Sequence, residues 1–236
     1  NWSNGGSQLQ SGKIENLDVS GEPTPPSGPF TYYVDGTHGS DSATGLSTGS
    51  AWRTIGKANA SVAAGDTVYI MEGTYSETIN PGVTGTTGHA ITYAAYANDT
   101  VAFAASSDGA DLRGKSYITI SGLRFVNCGN SWVYMYNTDG ASTHNLITNC
   151  TFDGCTAWAG IWMQGDCSYN RITNNTMTGY TQPDDLVYLR QGPEKNLVAN
   201  NTMNYAAHAA VNVNVEATDN VVRDNTIWNP WHSGTV

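Results

Sequence analysis

The chain has 236 residues, a formal net charge of −10 and a sequence pI near 4.6. This acidic balance, without a basic patch, argues against a nucleic-acid partner, and no apolar run is long enough for insertion into a membrane as a helix. A chain of this length and repeat content is expected to form one elongated domain with an additional arm.

Residues 1–30 are predicted to form a polar N-terminal arm or linker. They are rich in Gly, Ser, Pro and polar residues. Only residues 8–20 show the alternation of side-chain character that is typical of a strand. The chain begins at Asn1 without a methionine, which favours a mature product whose signal peptide has been removed. We therefore expect a secreted protein, extracellular or on the cell surface.

A short amphipathic helix is predicted near residues 51–63. Its apolar face consists of Trp52, Ile55, Ala58 and Val62 at helical spacing. Such a helix would cover the N-terminal end of a stack of strands, whose first turn otherwise exposes unpaired edges. The first strands are predicted in residues 65–75 and 90–96.

The C-terminal half repeats with a period of about 25 residues. Four aligned segments begin at Asn145, Asn170, Asn196 and Asn220, in steps of 25, 26 and 24 residues, and a weaker copy begins at Ile118. Each unit is too short for a helix pair and alternates β-branched with polar residues between Asn, Gly and Asp punctuation. The predicted fold is all-β, a right-handed parallel β-helix of about seven coils over residues 31–236.

The aligned repeats predict which side chains face the core. Because side chains alternate across a strand, one inward column consists of Val133, Ile161, Val187 and Val211. The next inward column consists of Met135, Met163, Leu189 and Val213. A third consists of Phe125, Phe152, Met177, Met203 and Ile227. At the corner, hydrogen bonds between coils and left-handed backbone are predicted for Asn149, Asn174, Asn200 and Asp224.

Two of the four cysteines share a register. Cys128 and Cys155 each lie three residues after an aligned phenylalanine, so they occupy equivalent positions on adjacent coils. Export favours a disulfide between them, and four buried free thiols are the alternative. Cys150 and Cys167 lie in one coil and can pair only if the corner brings them together.

Six asparagines lie in the N-x-S/T pattern for glycosylation. Asn1 and Asn98 are predicted to lie at the surface and are the two candidate sites. Three others belong to the corner column described above, where their match to the pattern is expected to be accidental.

Residues 31–79 resemble the N-terminal block of β-helix proteins related to chondroitinase B and alginate lyases. The shared order is YYV, a loop rich in Gly, Ser and Asp, a T-I-x-K-A capping helix, and then GDTVY and GTY. With the repeats, the resemblance covers roughly residues 31 to 236. It implies the same parallel β-helix fold.

The resemblance also implies a chemistry, the β-elimination of a uronate by a basic Lys and Arg. Calcium or another charge neutralises the uronate carboxylate in that chemistry. The segment LVYLRQG resembles the family's arginine segment, which makes Arg190 the catalytic candidate. Asp166 stands near the place of the lysine, and Ile161 and Met163 occupy the acidic ligand positions. The catalytic pattern is therefore incomplete in this chain.

An aromatic stripe is predicted on the outward face of one sheet. Its members, together with the neighbouring outward residues, are Tyr134, Tyr136, Trp162, Gln164, Tyr188 and Arg190. Aromatic rings at strand spacing suit sugar rings, and an arginine can donate to a hydroxyl or a carboxylate. These residues are predicted to bind a glycan or a protein partner, and cross-strand packing alone is the alternative.

Calcium is the one cofactor with candidate ligands. Asp184 and Asp185, near Asp166 and Glu216, could bind it through oxygen, and a solvated turn is the alternative interpretation. His208 and His232 lack the spacing of metal ligands and are interpreted as ordinary surface or corner residues.

The last coil is predicted to leave apolar residues uncovered. Ile227, Trp228 and Trp231 are therefore expected to contact the N-terminal region of another copy, in a head-to-tail assembly. The favoured function is a non-catalytic extracellular β-helix protein that assembles, binds a glycan, or does both. The alternative is a polysaccharide lyase that cleaves a uronate-containing glycan.

Overall fold

The computed structural model describes residues 28–179 and 182–228, which form a stack of short parallel strands. The predicted arm up to residue 27, Trp231 and His232 lie outside the described residues. In chain order the strands β1 to β20 are Thr31–Val34, Thr67–Ile70, Gly73–Tyr75, Ile91–Ala95, Val101–Phe103, Ala110–Asp111, Ile118–Ser121, Arg124–Cys128, Val133–Tyr136, Leu146–Thr148, Thr151–Cys155, Ala159–Gln164, Arg171–Thr173, Thr176–Thr178, Asp185–Arg190, Leu197–Ala199, Thr202–Asn204, Ala209–Asn214, Val221–Arg223 and Thr226–Trp228.

Three parallel sheets run along the stack. The first sheet has the order β1-β2-β4-β7-β10-β13-β16-β19, the second β20-β17-β14-β11-β8-β5-β3 and the third β18-β15-β12-β9-β6. Each complete coil adds one strand to each sheet, so neighbouring coils lie about 4.8 Å apart. The stack has about six turns, slightly fewer than predicted, and the predicted all-β parallel fold is confirmed.

One α-helix, α1, spans Ile55–Ser61, inside the predicted range. The Thr54 side chain accepts a hydrogen bond from the Lys57 N–H, and the Glu77 carboxylate accepts one from the Ile55 N–H at 2.7 Å. The predicted apolar face is buried in the core. Two 3-10 turns, Thr48–Ser50 and Asn137–Asp139, complete the helical elements of the described ranges, none of which could span a membrane.

The predicted inward columns are confirmed by the strand register. Val133, Ile161, Val187 and Val211 pair in successive parallel strands, as do the members of the other two columns. Phe103, Phe125 and Phe152 stack with ring centroids 5.4 and 5.1 Å apart. The last coil is the exception: Val213 is 47 % exposed and Ile227 37 % exposed, because no described coil packs on it.

The corner column was assigned correctly in backbone conformation but wrongly in hydrogen bonding. Asn149, Asn174 and Asn200 have φ of 54°, 58° and 57°, in the left-handed region. Their side chains are exposed. The hydrogen bonds come instead from the residues that follow, Asn175 and Asn201, whose side chains point inward because the left-handed residue reverses the facing of the chain.

Two columns of buried asparagines link the coils. In one, the side-chain Oδ1 atoms of Asn170 and Asn196 accept from the backbone N–H of the aligned asparagine in the preceding coil, at 2.9 and 2.8 Å. In the other, the side-chain oxygens of Asn175 and Asn201 accept from the backbone N–H of Cys150 and of Asn175, and their side-chain amide groups donate to backbone carbonyls of the preceding coil. These side chains satisfy backbone groups at corners, where no strand pairing can do so.

The predicted disulfide is not formed, although its register is correct. Cys128 and Cys155 are paired residues of β8 and β11, yet all four cysteines are free and buried. Each sulfur of this pair lies 3.9 Å from a different backbone carbonyl oxygen. Burial raises the pKa of the Cys128 thiol to about 11 and of the other three thiols to about 12, so they remain protonated and unreactive at neutral pH.

Candidate functional site

An aromatic stripe crosses the outward face of the third sheet. Tyr134, Trp162 and Tyr188 are paired in register in β9, β12 and β15, and all three are partly exposed. Neighbouring rings meet edge to face, with centroids 5.7 and 5.9 Å apart. The alternation of side chains along each strand buries Val133, Ile161 and Val187 and turns these three rings outward. The stripe therefore follows directly from the repeat.

A second outward row runs beside the stripe and supplies polar groups. It contains Tyr136, Gln164 and Arg190 in register. The Trp162 indole N–H donates to Gln164 Oε1 at 3.1 Å, which orients the indole ring. The Arg190 guanidinium makes no ion pair with any of the described residues and is partly exposed. Its donors therefore remain available to a ligand.

A neutral ion pair lies at the N-terminal end of the stripe. Arg113 binds the Asp111 carboxylate through two hydrogen bonds of 2.9 and 2.6 Å, and its guanidinium lies 5.7 Å from the centroid of the Tyr134 ring. The hydrogen bonds to Asp111 raise the pKa of Arg113 further above its usual value. The pair thus extends the stripe without adding net charge.

An open depression of about 220 Å³ lies at the other end, where the strands enter the third sheet. Its lining consists of Trp158, Asp184, Asp185, Tyr188, His208 and Asn212. Asp185 pairs in register with Ala159 and Ala209, whose small side chains leave space beside it. Trp158, Asp184 and His208 precede these three residues and form the next column. The depression is therefore built by three successive coils.

A buried carboxylate organises this depression. Asp185 is 7 % exposed, and its two oxygens accept from His208 Nδ1 at 2.8 Å and from Asn212 Nδ2 at 2.9 Å. The hydrogen bond with Asp185, and then its negative charge, raise the pKa of His208 above the ordinary 6.5. Trp158 is 69 % exposed and forms an aromatic wall at the rim.

We expect an NMR titration of the His208 imidazole to have its midpoint above about pH 6.5. The Asp185→Asn variant should return this midpoint toward that value. The hydrogen bond stabilises the protonated folded state, so its stabilisation is fully present below about pH 6.5 and is lost as pH rises through the folded pKa. The effect on folding is small, because solvent screens this exposed imidazole. Asp184→Asn is the matched control and should shift the midpoint less. Equal midpoints in the wild type and Asp185→Asn would contradict the assignment.

The predicted calcium ligands are used differently. Asp185 holds His208 and Asn212, and Asp184 Oδ1 accepts from Gln182 Nε2 at 3.2 Å. Within residues 28–179 and 182–228, no group of three or more His, Cys, Asp or Glu side chains comes together in a way that could hold a metal ion. Calcium binding at Asp184 and Asp185 stays a prediction.

The positions implied by the lyase resemblance are also clarified. Ile161 and Met163, at the expected acidic ligand positions, are fully buried and face the core. The outward residues of that strand are Trp162 and Gln164, which carry no charge. Gln164 pairs in register with Arg190, whereas Asp166 lies beyond the strand end. No acidic residue of β12 therefore lies beside Arg190.

The sequence-based interpretation missed three members of the site. His208 was assigned as an ordinary surface residue, and Trp158 and Asn212 were not assigned a binding role. The usable signal was that His208 and Trp158 each directly precede an aligned strand of the third sheet.

The other predicted positions lie at the surface. Asn98 is exposed in a turn, and Ile227 and Trp228 lie in the last described coil, 37 % and 52 % exposed. Asn1 lies outside the described residues.

Comparison with known proteins identifies a family with this fold. Residues 82–235 match the family described as right handed beta helix region. No curated protein sequence matches the chain significantly.

Solved structures with a similar fold include carbohydrate-active enzymes. Pectate lyase Pel9A has a TM-score of 0.52 and 18 % identity over 77 % of this chain and 55 % of its own. The GH136 lacto-N-biosidase from Eubacterium ramulus has a TM-score of 0.53 and 11 % identity over 84 % of this chain and 56 % of its own. A rhamnogalacturonan lyase has a TM-score of 0.48 and 18 % identity over 84 % of this chain and 62 % of its own. The chain thus spans between about half and two thirds of these proteins, and it belongs to the right-handed β-helix family.

Proposed function

We propose that this is a non-catalytic extracellular β-helix protein that binds a glycan on the outward face of its third sheet. The observation that carries this proposal is the aromatic stripe Tyr134, Trp162 and Tyr188, in register on three coils and ending in an open depression. Sugar rings have apolar faces that pack on aromatic rings, while their hydroxyl groups need nearby hydrogen-bond partners.

The polar groups beside the stripe support the same ligand class. Arg190 has donors free of ion pairs among the described residues, and Gln164 lies between Arg190 and Tyr136 in the same row. Rigid strands hold these groups, so little conformational entropy is lost on binding. The stripe spans three coils, or roughly 10 Å between its outer strands, which suits an oligosaccharide better than a single sugar.

Two proteins that share the fold act on glycans, as the names pectate lyase and lacto-N-biosidase state. Their low identity limits this likeness to the fold, so it supports the ligand class and not a reaction. An extracellular location is proposed on the same basis.

A non-catalytic role is favoured over uronate elimination. Elimination needs a base and a group that neutralises the uronate carboxylate. Beside Arg190, the outward positions of the preceding coil are Trp162 and Gln164, which supply neither a base nor a charge that neutralises a carboxylate. The depression itself carries two carboxylates, which would repel a uronate.

Binding to a panel of soluble oligosaccharides, followed by calorimetry, tests this proposal. We expect Trp162→Ala to weaken the binding of the recognised glycan about 10- to 30-fold, because the central ring of the stripe is removed. Tyr69→Ala is the matched control: Tyr69 is an outward aromatic residue of the first sheet that packs against Tyr33 and Tyr96, and its loss should leave binding unchanged.

The opposite pattern, with Tyr69→Ala harmful and Trp162→Ala neutral, would move the site to another face. Incubation with alginate, pectate and chondroitin tests the lyase alternative, because elimination creates a product that absorbs ultraviolet light. We expect no such product. A product whose formation is abolished by Arg190→Ala would replace our proposal with the lyase function.

Association with other copies is a second proposal, and it rests on the last described coil. Val213, Val221, Ile227 and Trp228 are between 37 % and 52 % exposed there. At the other end, β1 is already paired: its Tyr33 N–H and carbonyl bond to Gly45 and Trp52. A second copy would therefore contact this covered end through apolar packing instead of strand pairing.

Sedimentation velocity should show concentration-dependent association that Trp228→Asp reduces. Tyr169→Asp is the control, because Tyr169 is 46 % exposed and lies between β12 and β13, away from both ends of the stack, and it should behave like the wild type. A wild type that stays monomeric at all concentrations would exclude this association.

A further inference from the structure

The depression at the C-terminal end of the stripe has an unbalanced charge. Asp184 and Asp185 contribute two carboxylates, and His208 is the one cationic partner among its lining residues. Asp185 is satisfied by His208 and Asn212, so its charge is partly neutralised by hydrogen bonds. Asp184 forms no ion pair among the described residues, and it is only partly buried.

Aromatic groups border these carboxylates. Trp158, 69 % exposed, forms one wall, and Tyr188 connects the depression to the stripe. Trp158 is fixed at its backbone, since its carbonyl accepts from the Asp185 N–H at 2.9 Å. A cation between an indole face and a carboxylate is attracted by both. An anion at the same place would be repelled.

We propose that this depression binds a sugar residue that carries a protonated amine, such as a 2-amino-2-deoxyhexose, and selects against uronates. The proposal rests on the proposed glycan binding and names the ligand class of its end subsite. The amine is placed at Asp184, and the sugar ring packs against Trp158. Asn212 and Tyr188 lie within the same depression and can hydrogen-bond the hydroxyl groups.

Arg190 lies outside the depression. It is two residues beyond Tyr188 on the same strand, about 7 Å further along the sheet, and does not line the depression. The charge facing the end subsite is therefore set by Asp184, Asp185 and His208.

The test compares three oligosaccharides of equal length by calorimetry at low salt and mildly acidic pH: glucosamine, N-acetylglucosamine and galacturonate oligomers. The first two share one backbone and differ in the charge of the amine. We expect the glucosamine oligomer to bind about 10-fold more tightly than its acetylated counterpart, and the galacturonate oligomer to bind least.

Two matched variants separate a local charge from the overall acidity of the chain. Asp184→Asn should abolish the preference for the free amine while leaving binding of the acetylated oligomer intact. Asp153→Asn, an exposed carboxylate on the second sheet, should leave the preference unchanged. Trp158→Ala should weaken the binding of both oligomers, and that of the free amine more, because the indole face also attracts the cation. The high exposure of Trp158 keeps the fold intact.

Equal binding of the free and acetylated oligomers, or equal loss in Asp184→Asn and Asp153→Asn, would overturn the amine site. Tight binding of the galacturonate oligomer would overturn it as well, while leaving glycan binding itself in place. If no glycan of any charge binds, the proposed function fails together with this subsite.

Discussion

Asn175→Ala should reduce the free energy of unfolding by about 3 to 5 kcal/mol. The side-chain Oδ1 of Asn175 accepts a hydrogen bond from the Cys150 N–H at 2.9 Å. The side-chain Nδ2 of Asn175 donates one to the Ile147 backbone carbonyl at 3.0 Å. Both partners are buried, and Asn175 itself is 2 % exposed. Each buried backbone group left without a partner costs about 1–3 kcal/mol. The measurement is guanidinium unfolding followed by circular dichroism.

Asn174→Gly is the matched control for this prediction. Asn174 is the neighbouring asparagine, exposed and at φ 58°, a conformation that glycine adopts freely. We expect its unfolding midpoint to stay close to that of the wild type. If the two variants are equally stable, the buried asparagine column does not hold the coils together as described.

Gly160→Ala should destabilise the protein by about 3 kcal/mol and disturb the third sheet. A Cβ at Gly160 would collide with the ring of Trp132 and lie 3.0 Å from the Leu186 carbonyl oxygen. Trp132 is fully buried, and its indole donates to the Gly154 carbonyl at 2.8 Å, so it has little freedom to move. Overpacking of this kind costs about 1–3 kcal/mol, and occasionally more.

The corresponding control is Gly49→Ala, whose Cβ would meet no atom within 4 Å. Thermal unfolding of the two variants should differ clearly, with Gly49→Ala close to the wild type. A Gly160→Ala protein with unchanged stability would mean that the Trp132 ring can relocate, and the description of a tightly filled core beneath the binding face would be wrong.

The fold was largely predictable because the repeat fixes the register. Once Val133 and Ile161 are aligned, alternation determines which residues face the core and which face outward. The corner hydrogen bonds were not predictable in the same way. Two asparagines stand side by side at positions 174 and 175, and only the left-handed backbone of the first decides that the second points inward.

The site was predictable where strands carry it and not where loops do. The stripe residues Tyr134, Trp162 and Tyr188 follow from the strand alternation. The depression depends on His208 and Trp158, which precede the strands after connections of different lengths, so their meeting with Asp185 is visible only in three dimensions. The free thiols differ from the prediction because register places Cys128 beside Cys155 without determining whether a bond forms.

The most direct test of glycan binding by the third sheet is NMR of the tryptophan indole groups during titration with oligosaccharide. Binding on the outward face should shift the Trp162 indole resonance saturably, and that of Trp158 when the end subsite is filled. Trp52 and Trp132 are 3 % and 0 % exposed and serve as internal controls that should not shift. An unchanged Trp162 resonance at saturating concentrations of a glycan that binds the protein would contradict the account.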